Sequence, residues 1–257
     1  RWPEDLDEWE PAAICFTSAT TGNPKGVVYA HRALFLHSMM MGMVDGQGLS
    51  MRDTAMPVVP MFHVNAWGFP FTCVWLGARL VLPGPRPTPR DLVRLIEEER
   101  VTISAAVPSV WLGVLQLLEE EPHDLSSLKR ITIGGSAVPR VVAETFRERY
   151  GVTVIQGYGM TEAAPISHLG LLKPRLEALS PAEQQDYRDK QGMVVPGIEM
   201  KLLDQNGEEV PWDGKTMGEV CLRGPWIASE YYRDERTREA FYDGWYHSGD
   251  IGVVDPE

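Results

Sequence analysis

Cysteine is scarce in this chain: Cys15, Cys73 and Cys221 are the only three among 257 residues, and they lie far apart. An odd, scattered set gives no sign of a disulfide framework or of a metal cluster, and each lies among apolar residues, as a buried free thiol would. Positive charge is also in deficit. Lys and Arg number 24 against 36 Asp and Glu, a net charge of −12. Such a balance argues against a nucleic-acid backbone or an anionic membrane as the main partner, while a local basic pocket remains allowed. Long apolar runs are missing as well. Residues 66–82 come nearest, but Gly68, Pro70, Gly77 and Arg79 interrupt them, so no integral membrane segment is expected. No Gly-Lys-Ser/Thr of a Walker loop occurs at the lysine-bearing loop, where Lys25 precedes Gly26 and β-branched residues. What remains is an ordinary soluble composition, 44% hydrophobic and 23% charged, in a chain long enough for one large domain or two smaller ones.

The densest local chemistry is Phe16-Thr17-Ser18-Ala19-Thr20-Thr21-Gly22-Asn23-Pro24-Lys25-Gly26. Four hydroxyls, two glycines and an ammonium sit between two β-type runs. Hydroxyls, freed backbone N–H groups and a cation are what an oxyanion-rich ligand needs. The stretch reads as a polyphosphate-binding loop on a β-hairpin; the plainer reading is a polar turn with no ligand.

Downstream, residues 31–44 form an apolar helix whose methionines fill core. A strand near residues 55–59 leads into Pro60-Met61-Phe62-His63-Val64-Asn65-Ala66-Trp67. His63 follows a strand end, at the mouth of a sheet where ligands bind, although a lone histidine is commonly a core residue. Trp67 falls one helical turn beyond it and reads either as core or as a cavity wall. Thr88-Pro89 opens a helix as N-cap and first residue. Strands at 102–107, 131–133 and 152–156 alternate with helices opened by Pro108 and Pro139. This β-α rhythm predicts a doubly wound, mostly parallel sheet with helices on both faces. Residues 169–192 read as a polar surface insertion with a short helix capped by Ser180. Runs at 198–203 and 218–223, separated by turn signals, predict an antiparallel sheet or distorted barrel. The expected division is 1–192 and 193–257.

Two strand ends carry polar motifs. Gly134-Gly135-Ser136-Ala137 lets the backbone approach a flat ligand. Gln156-Gly157-Tyr158-Gly159-Met160-Thr161-Glu162 sets a ring face between glycines and a hydroxyl beside a carboxylate, a set suited to a base, its phosphates and a hard cation. Near the end, Asp250 in His247-Ser248-Gly249-Asp250 can accept both hydroxyls of a ribose, or can belong to an ordinary turn.

In their order along the chain, these segments resemble the signatures of the acyl-activating, adenylate-forming enzymes, and most of all the fatty-acyl-CoA synthetases. The family form has Gly where this chain has Ala19. The resemblance implies that Thr17, Ser18, Ala19, Thr20, Thr21, Gly22 and Lys25 bind ATP phosphates. It implies that Gly135, Ser136, Ala137, Gln156, Gly157, Tyr158, Gly159 and Asp250 hold adenine and ribose. It assigns His63, Val64 and Trp67 to the acyl group, Thr17 and Glu162 to Mg²⁺, and catalysis to Thr17, Lys25, Thr161 and Glu162. The implied substrates are ATP, an apolar carboxylic acid and coenzyme A. The implied enzyme is cytoplasmic, with no nucleic-acid partner and with a homodimer as one available state. The alternatives are adenylation of an aryl, amino or sulfur-containing acid for a carrier protein or CoA, or a non-catalytic nucleotide-binding module.

Both ends read as cut points inside a longer protein, and the family's C-terminal lysine domain would follow Glu257. Residues 1–257 alone are therefore expected to bind ATP weakly at best and to turn over very slowly. Thioester formation by the purified chain at the rate of a full-length synthetase would overturn that expectation.

Overall fold

The computed structural model describes residues 5–17 and 23–257. Ser18, Ala19, Thr20, Thr21 and Gly22 therefore lie outside the described residues. Strands β1 (Pro11–Phe16) and β2 (Gly26–Ala30) pair antiparallel, with Phe16 opposite Gly26, so the lysine loop does sit on a hairpin. Just before β1 the chain is tied in: Glu8 pairs with Arg32, whose guanidinium lies 5.2 Å from the Trp9 ring. Helix α1 (His31–Gly42) follows directly.

The main sheet has seven strands: β3 (Thr54–Pro57), β4 (Arg79–Leu80), β5 (Ile103–Ala106), β6 (Arg130–Gly134), β7 (Thr153–Gly159), β8 (Ile166–Leu169) and β9 (Met193–Val194). Their spatial order is β4-β3-β5-β6-β7-β8-β9; pairs up to β6-β7 are parallel and the last two antiparallel. Between these strands run α2 (Val64–Trp67), α3 (Phe69–Leu76), α4 (Pro89–Glu99), α5 (Pro108–Glu120), α6 (Arg140–Tyr150) and α7 (Pro181–Arg188). Thr88 caps α4 in a reciprocal capping box with Asp91, as its sequence suggests.

Alternation along the strands divides the core between the two faces. Met56, Ala106, Ile131 and Ile133 pack with Leu92 and Ile96 of α4, Trp111 of α5 and Phe146 of α6. Ala55, Ile103, Ala105 and Ile155 face the other way, onto Met41 of α1 and Phe69 of α3. That second core continues under the smaller sheet: β10 (Glu199–Leu203), β11 (Gly218–Arg223), β12 (Phe241–Tyr242) and β13 (Trp245–Gly252), ordered β10-β11-β13-β12 and wholly antiparallel. Helix α8 (Thr237–Ala240) precedes β12.

Two local expectations need correction. Residues 169–192 are more than surface decoration: α7 docks on α6 through Arg140, which pairs with Asp186 and Asp189, and Gln185 is buried against Arg147. The segment 64–67 is not a right-handed turn. Val64, Asn65, Ala66 and Trp67 all have φ between 47° and 55°, a left-handed turn costing about 1–2 kcal/mol per residue. Trp67 is therefore not placed by right-handed i, i+4 spacing from His63.

A buried polar knot braces the edge opposite the nucleotide motifs. Arg130 donates to the Gln47 and Gly48 carbonyls and to Asp53, and Thr102 donates to the other Asp53 oxygen at 2.7 Å. Burial opposes ionisation of Asp53, but the hydrogen bonds from Thr102 and Ser50 and the Arg130 charge prevail and hold it below the ordinary carboxylate range. A depressed folded pKa contributes stability above the unfolded value of about 3.9, and that contribution is lost as pH falls through the folded value. Chemical denaturation is thus expected to show stability falling below about pH 4, with Asp53→Asn less stable near neutrality and less sensitive to acid.

Candidate functional site

The hairpin closes the lysine loop at its neck. Thr17 N–H donates to the Lys25 carbonyl at 2.9 Å, and Lys25 N–H donates to Thr17 Oγ1 at 3.2 Å. The far side of the loop is held from the end of the chain: Tyr232 N–H donates to the Gly26 carbonyl, Val27 bridges Tyr231, and Arg236 donates to the Asn23 carbonyl. Lys25 Nζ then reaches Tyr231 Oη at 3.0 Å and lies 4.2 Å from the centre of its ring. The Tyr231 hydroxyl donates in turn to Glu162 Oε1 at 2.6 Å. Burial and the neighbouring carboxylate raise the Tyr231 pKa, so the phenol keeps its proton and the relay runs from ammonium through phenol to carboxylate.

Glu162 stands in the short 3₁₀ turn Thr161–Ala163 that follows β7. Tyr29 fixes this turn by donating to the Thr161 carbonyl at 2.5 Å, and Ala228 N–H donates to the Glu162 carbonyl at 2.8 Å. Glycine at 159 is obligatory, because a Cβ there would lie 2.0 Å from the Pro165 carbonyl oxygen. On the same strand Tyr158 donates to Asp250 Oδ2 at 2.6 Å, with the His168 ring edge-on at 5.2 Å. Burial lowers the His168 pKa to about 4, so this imidazole is neutral.

These groups surround one cleft of about 730 Å³. Thr17, Lys25, Gly135, Gly157, Tyr158, Gly159, Thr161, Glu162 and Asp250 line it, and His63, Val64 and Trp67 form a wall of it. The structure thus brings together most of the residues singled out from sequence. The positions of Gly134 and Gly135 have separate reasons: a Cβ at Gly134 would meet the Gly157 carbonyl and the Trp67 ring, while Gly135 has φ of +83°. Three expected residues stand apart. Ser136 and Ala137 are outside the lining, and Gln156 points into the interior, accepting from Val138 N–H and donating to the Lys190 carbonyl.

Sequence reasoning missed Tyr231, Tyr29 and Arg236. Tyr231 lies 206 residues from its partner Lys25, and the Tyr231-Tyr232 pair carries no spacing that foretells this contact. It also missed Tyr246, buried beside Glu162 and Tyr231.

Glu162 is only 5% exposed, and among the described residues no Lys, Arg or His lies within ion-pair distance of it. Buried charges are paired or bind cations. The Glu162 carboxylate and the Thr17 hydroxyl both line the cleft and are hard oxygen donors, a set that fits Mg²⁺. Among the described residues no helix is long and apolar enough to cross a membrane.

Comparison with known proteins agrees with this geometry. The sequence matches the family described as AMP-binding enzyme over residues 1–232. It is 47% identical to a long-chain-fatty-acid–CoA ligase of Thermus thermophilus, covering 99% of this chain and 47% of the relative. It is 42% identical to a medium-chain-fatty-acid–CoA ligase of Ectopseudomonas oleovorans, covering 100% of this chain and 46% of that one. Among solved structures, a long-chain-fatty-acid-CoA ligase from Archaeoglobus fulgidus superposes with a TM-score of 0.82 at 27% identity, over 98% of this chain and 50% of that one. An o-succinylbenzoate coenzyme A synthetase from Bacillus subtilis, in complex with ATP and magnesium ion, gives 0.81 at 26% identity, over 98% and 49%. The chain spans about half the length of the curated relatives it matches.

The glycine geometry gives a graded expectation. Gly159→Ala must displace the Pro165 backbone, whereas a Cβ at Gly157 meets nothing nearer than Thr132 Cγ2 at 3.4 Å. Thermal or chemical unfolding is expected to show Gly159→Ala as the more destabilising of the two, by at least about 1 kcal/mol.

Proposed function

Because the chain belongs to the AMP-binding enzyme family, we propose that it supplies the nucleotide and acyl site of an acid–thiol ligase that makes a fatty acyl-CoA with ATP. The observation that carries this is the convergence on one cleft of Lys25, Glu162, Tyr158 and Asp250, delivered by segments from both ends of the chain. In this reading residues 1–192 supply the nucleotide and acyl portion and 193–257 the ribose side.

The reaction has two steps. A carboxylate oxygen of the acid attacks the α-phosphorus of ATP; the new P–O bond forms as the bond to the β-phosphate oxygen breaks, releasing pyrophosphate. The thiol of CoA, losing its proton, then attacks the acyl carbonyl and expels AMP. The first step brings two anions together, so positioning and charge neutralisation dominate. Lys25 and the loop N–H and hydroxyl groups, those of residues 18–22 included, would hold the phosphates. Tyr158, with Gly135, Gly157 and Gly159, would frame the adenine, and Asp250 would take the ribose hydroxyls. Mg²⁺ held by Glu162 and Thr17 would neutralise phosphate charge. The relay through Tyr231 keeps Lys25 and Glu162 poised before the nucleotide arrives.

The acid is read from the wall at His63, Val64 and Trp67. Val64 and Trp67 are apolar, 3% and 7% exposed, and the wall offers no carboxylate for a substrate ammonium. That favours an apolar acid over an amino acid. Buried thiols and ATP use suit a cytoplasmic enzyme, and a homodimer belongs to the same reading.

Acid-dependent exchange of pyrophosphate into ATP by the full-length enzyme tests it, across straight-chain fatty acids, a methylthio acid, an aryl acid and amino acids. Fatty acids are expected to support exchange best. Glu162→Gln or Lys25→Ala is expected to cut the rate about 10²–10³-fold, as loss of a charge-stabilising group does. Exchange with no acid in the panel would refute the ligase reading; exchange with amino acids alone would refute the fatty-acyl assignment.

A further inference from the structure

On the ribose side of the cleft, three potential metal ligands meet that are far apart in sequence. Glu219 and Cys221 lie two residues apart on β11, on one side of the strand, and a bulge between them shifts the register against β13. Cys221 pairs across the ladder with His247 of β13. His247 Nδ1 lies 3.4 Å from Cys221 Sγ and 3.2 Å from Glu219 Oε2, and the three ligand atoms all fall within 4.8 Å of one another. A tetrahedral zinc ion with Zn–S of about 2.3 Å and Zn–N and Zn–O of about 2.0–2.1 Å has S···N and N···O edges of roughly 3.6 and 3.3 Å. The observed separations are already close to such edges.

The cluster is also built to stay in place. Cys221 is fully buried and His247 is 7% exposed. The Tyr242 ring stacks on the imidazole at 3.6 Å and 12°, fixing its plane. Glu219 Oε1 accepts the Gly249 N–H at 3.0 Å, which orients the carboxylate while leaving Oε2 on the cluster side. His247 Nε2 is buried with no hydrogen-bond partner among the described residues.

We propose that Glu219, Cys221 and His247 form a binding site for a thiophilic divalent cation of the Zn²⁺ class, with a fourth position left for water. Sulfur and imidazole donors select such an ion over Mg²⁺, which prefers the oxygen donors at Glu162. The scattered cysteines gave no sign of it, because the ligands converge only when β11 and β13 pair. Occupancy would clamp β11 to β13 beside Asp250, three residues along β13 from His247.

Co²⁺ titration of the full-length enzyme, followed by absorption, tests the site directly and does not depend on the ligase reading. One equivalent is expected to give an intense thiolate-to-cobalt charge-transfer band and tetrahedral d–d bands, both displaced by Zn²⁺ and unaffected by millimolar Mg²⁺. Cys221→Ser is expected to abolish the charge-transfer band, and His247→Gln to weaken Co²⁺ binding at least tenfold. Circular dichroism and thermal unfolding verify that both variants are folded. Absence of stoichiometric Co²⁺ binding, or a charge-transfer band that persists in folded Cys221→Ser, would overturn the proposal.

Discussion

A carboxylate withdrawn from water needs either a counter-charge or strong hydrogen bonds. Glu162 has the second without the first: it accepts a hydrogen bond from the Tyr231 hydroxyl at 2.6 Å, and the ammonium of Lys25 is one phenol further on. Much of the cleft's geometry follows from that arrangement. The hairpin must present Lys25 from one side, the segment after β11 must present Tyr231 from another, and the turn after β7 must be rigid enough for Glu162 to meet them. Tyr29 and the Ala228 amide provide that rigidity through the turn's own carbonyls. A phenol is well suited to the middle place. It accepts from the ammonium and donates to the carboxylate, and both neighbours can be turned to a ligand without leaving an uncompensated buried charge.

Much of this was legible in the sequence because it is local. Thr88 and Ser180 announce helix starts through hydrogen bonds within four residues. The β-α rhythm announces the parallel sheet through hydrophobic periodicity, and Gly159 beside Tyr158 marks backbone that admits no side chain. What stayed hidden depends on distance in sequence or on backbone choice. Nothing near Tyr231 refers to Lys25 or Glu162. Gln156 belongs to a motif whose other members face the cleft, yet strand alternation sends its side chain inward to Val138 and Lys190. The left-handed turn at 64–67 could not be foreseen either, since β-branched Val64 and bulky Trp67 disfavour it. It persists because burial of Val64, Ala66 and Trp67 outweighs the backbone cost.

That turn also shapes the cleft. It brings the Trp67 ring against Gly134, where a Cβ would meet both that ring and the Gly157 carbonyl. One aromatic side chain thereby links the wall proposed for the acid to the strand ends proposed for the nucleotide. Changes in the shape of one wall are felt at the other through rigid contact.

The two-stranded sheet β1-β2 has its own consequence. A hairpin of this size is marginal alone, and here its loop is fastened by Tyr231, Tyr232 and Arg236, some two hundred residues later. Contacts of such separation form late, after the loop-closure entropy of the intervening chain has been overcome. During synthesis the lysine hairpin is thus made some two hundred residues before the segment that fastens it. The intervening strands can consolidate around a hairpin not yet fastened, and the cleft gains its Tyr231 and Asp250 sides only when those later segments arrive.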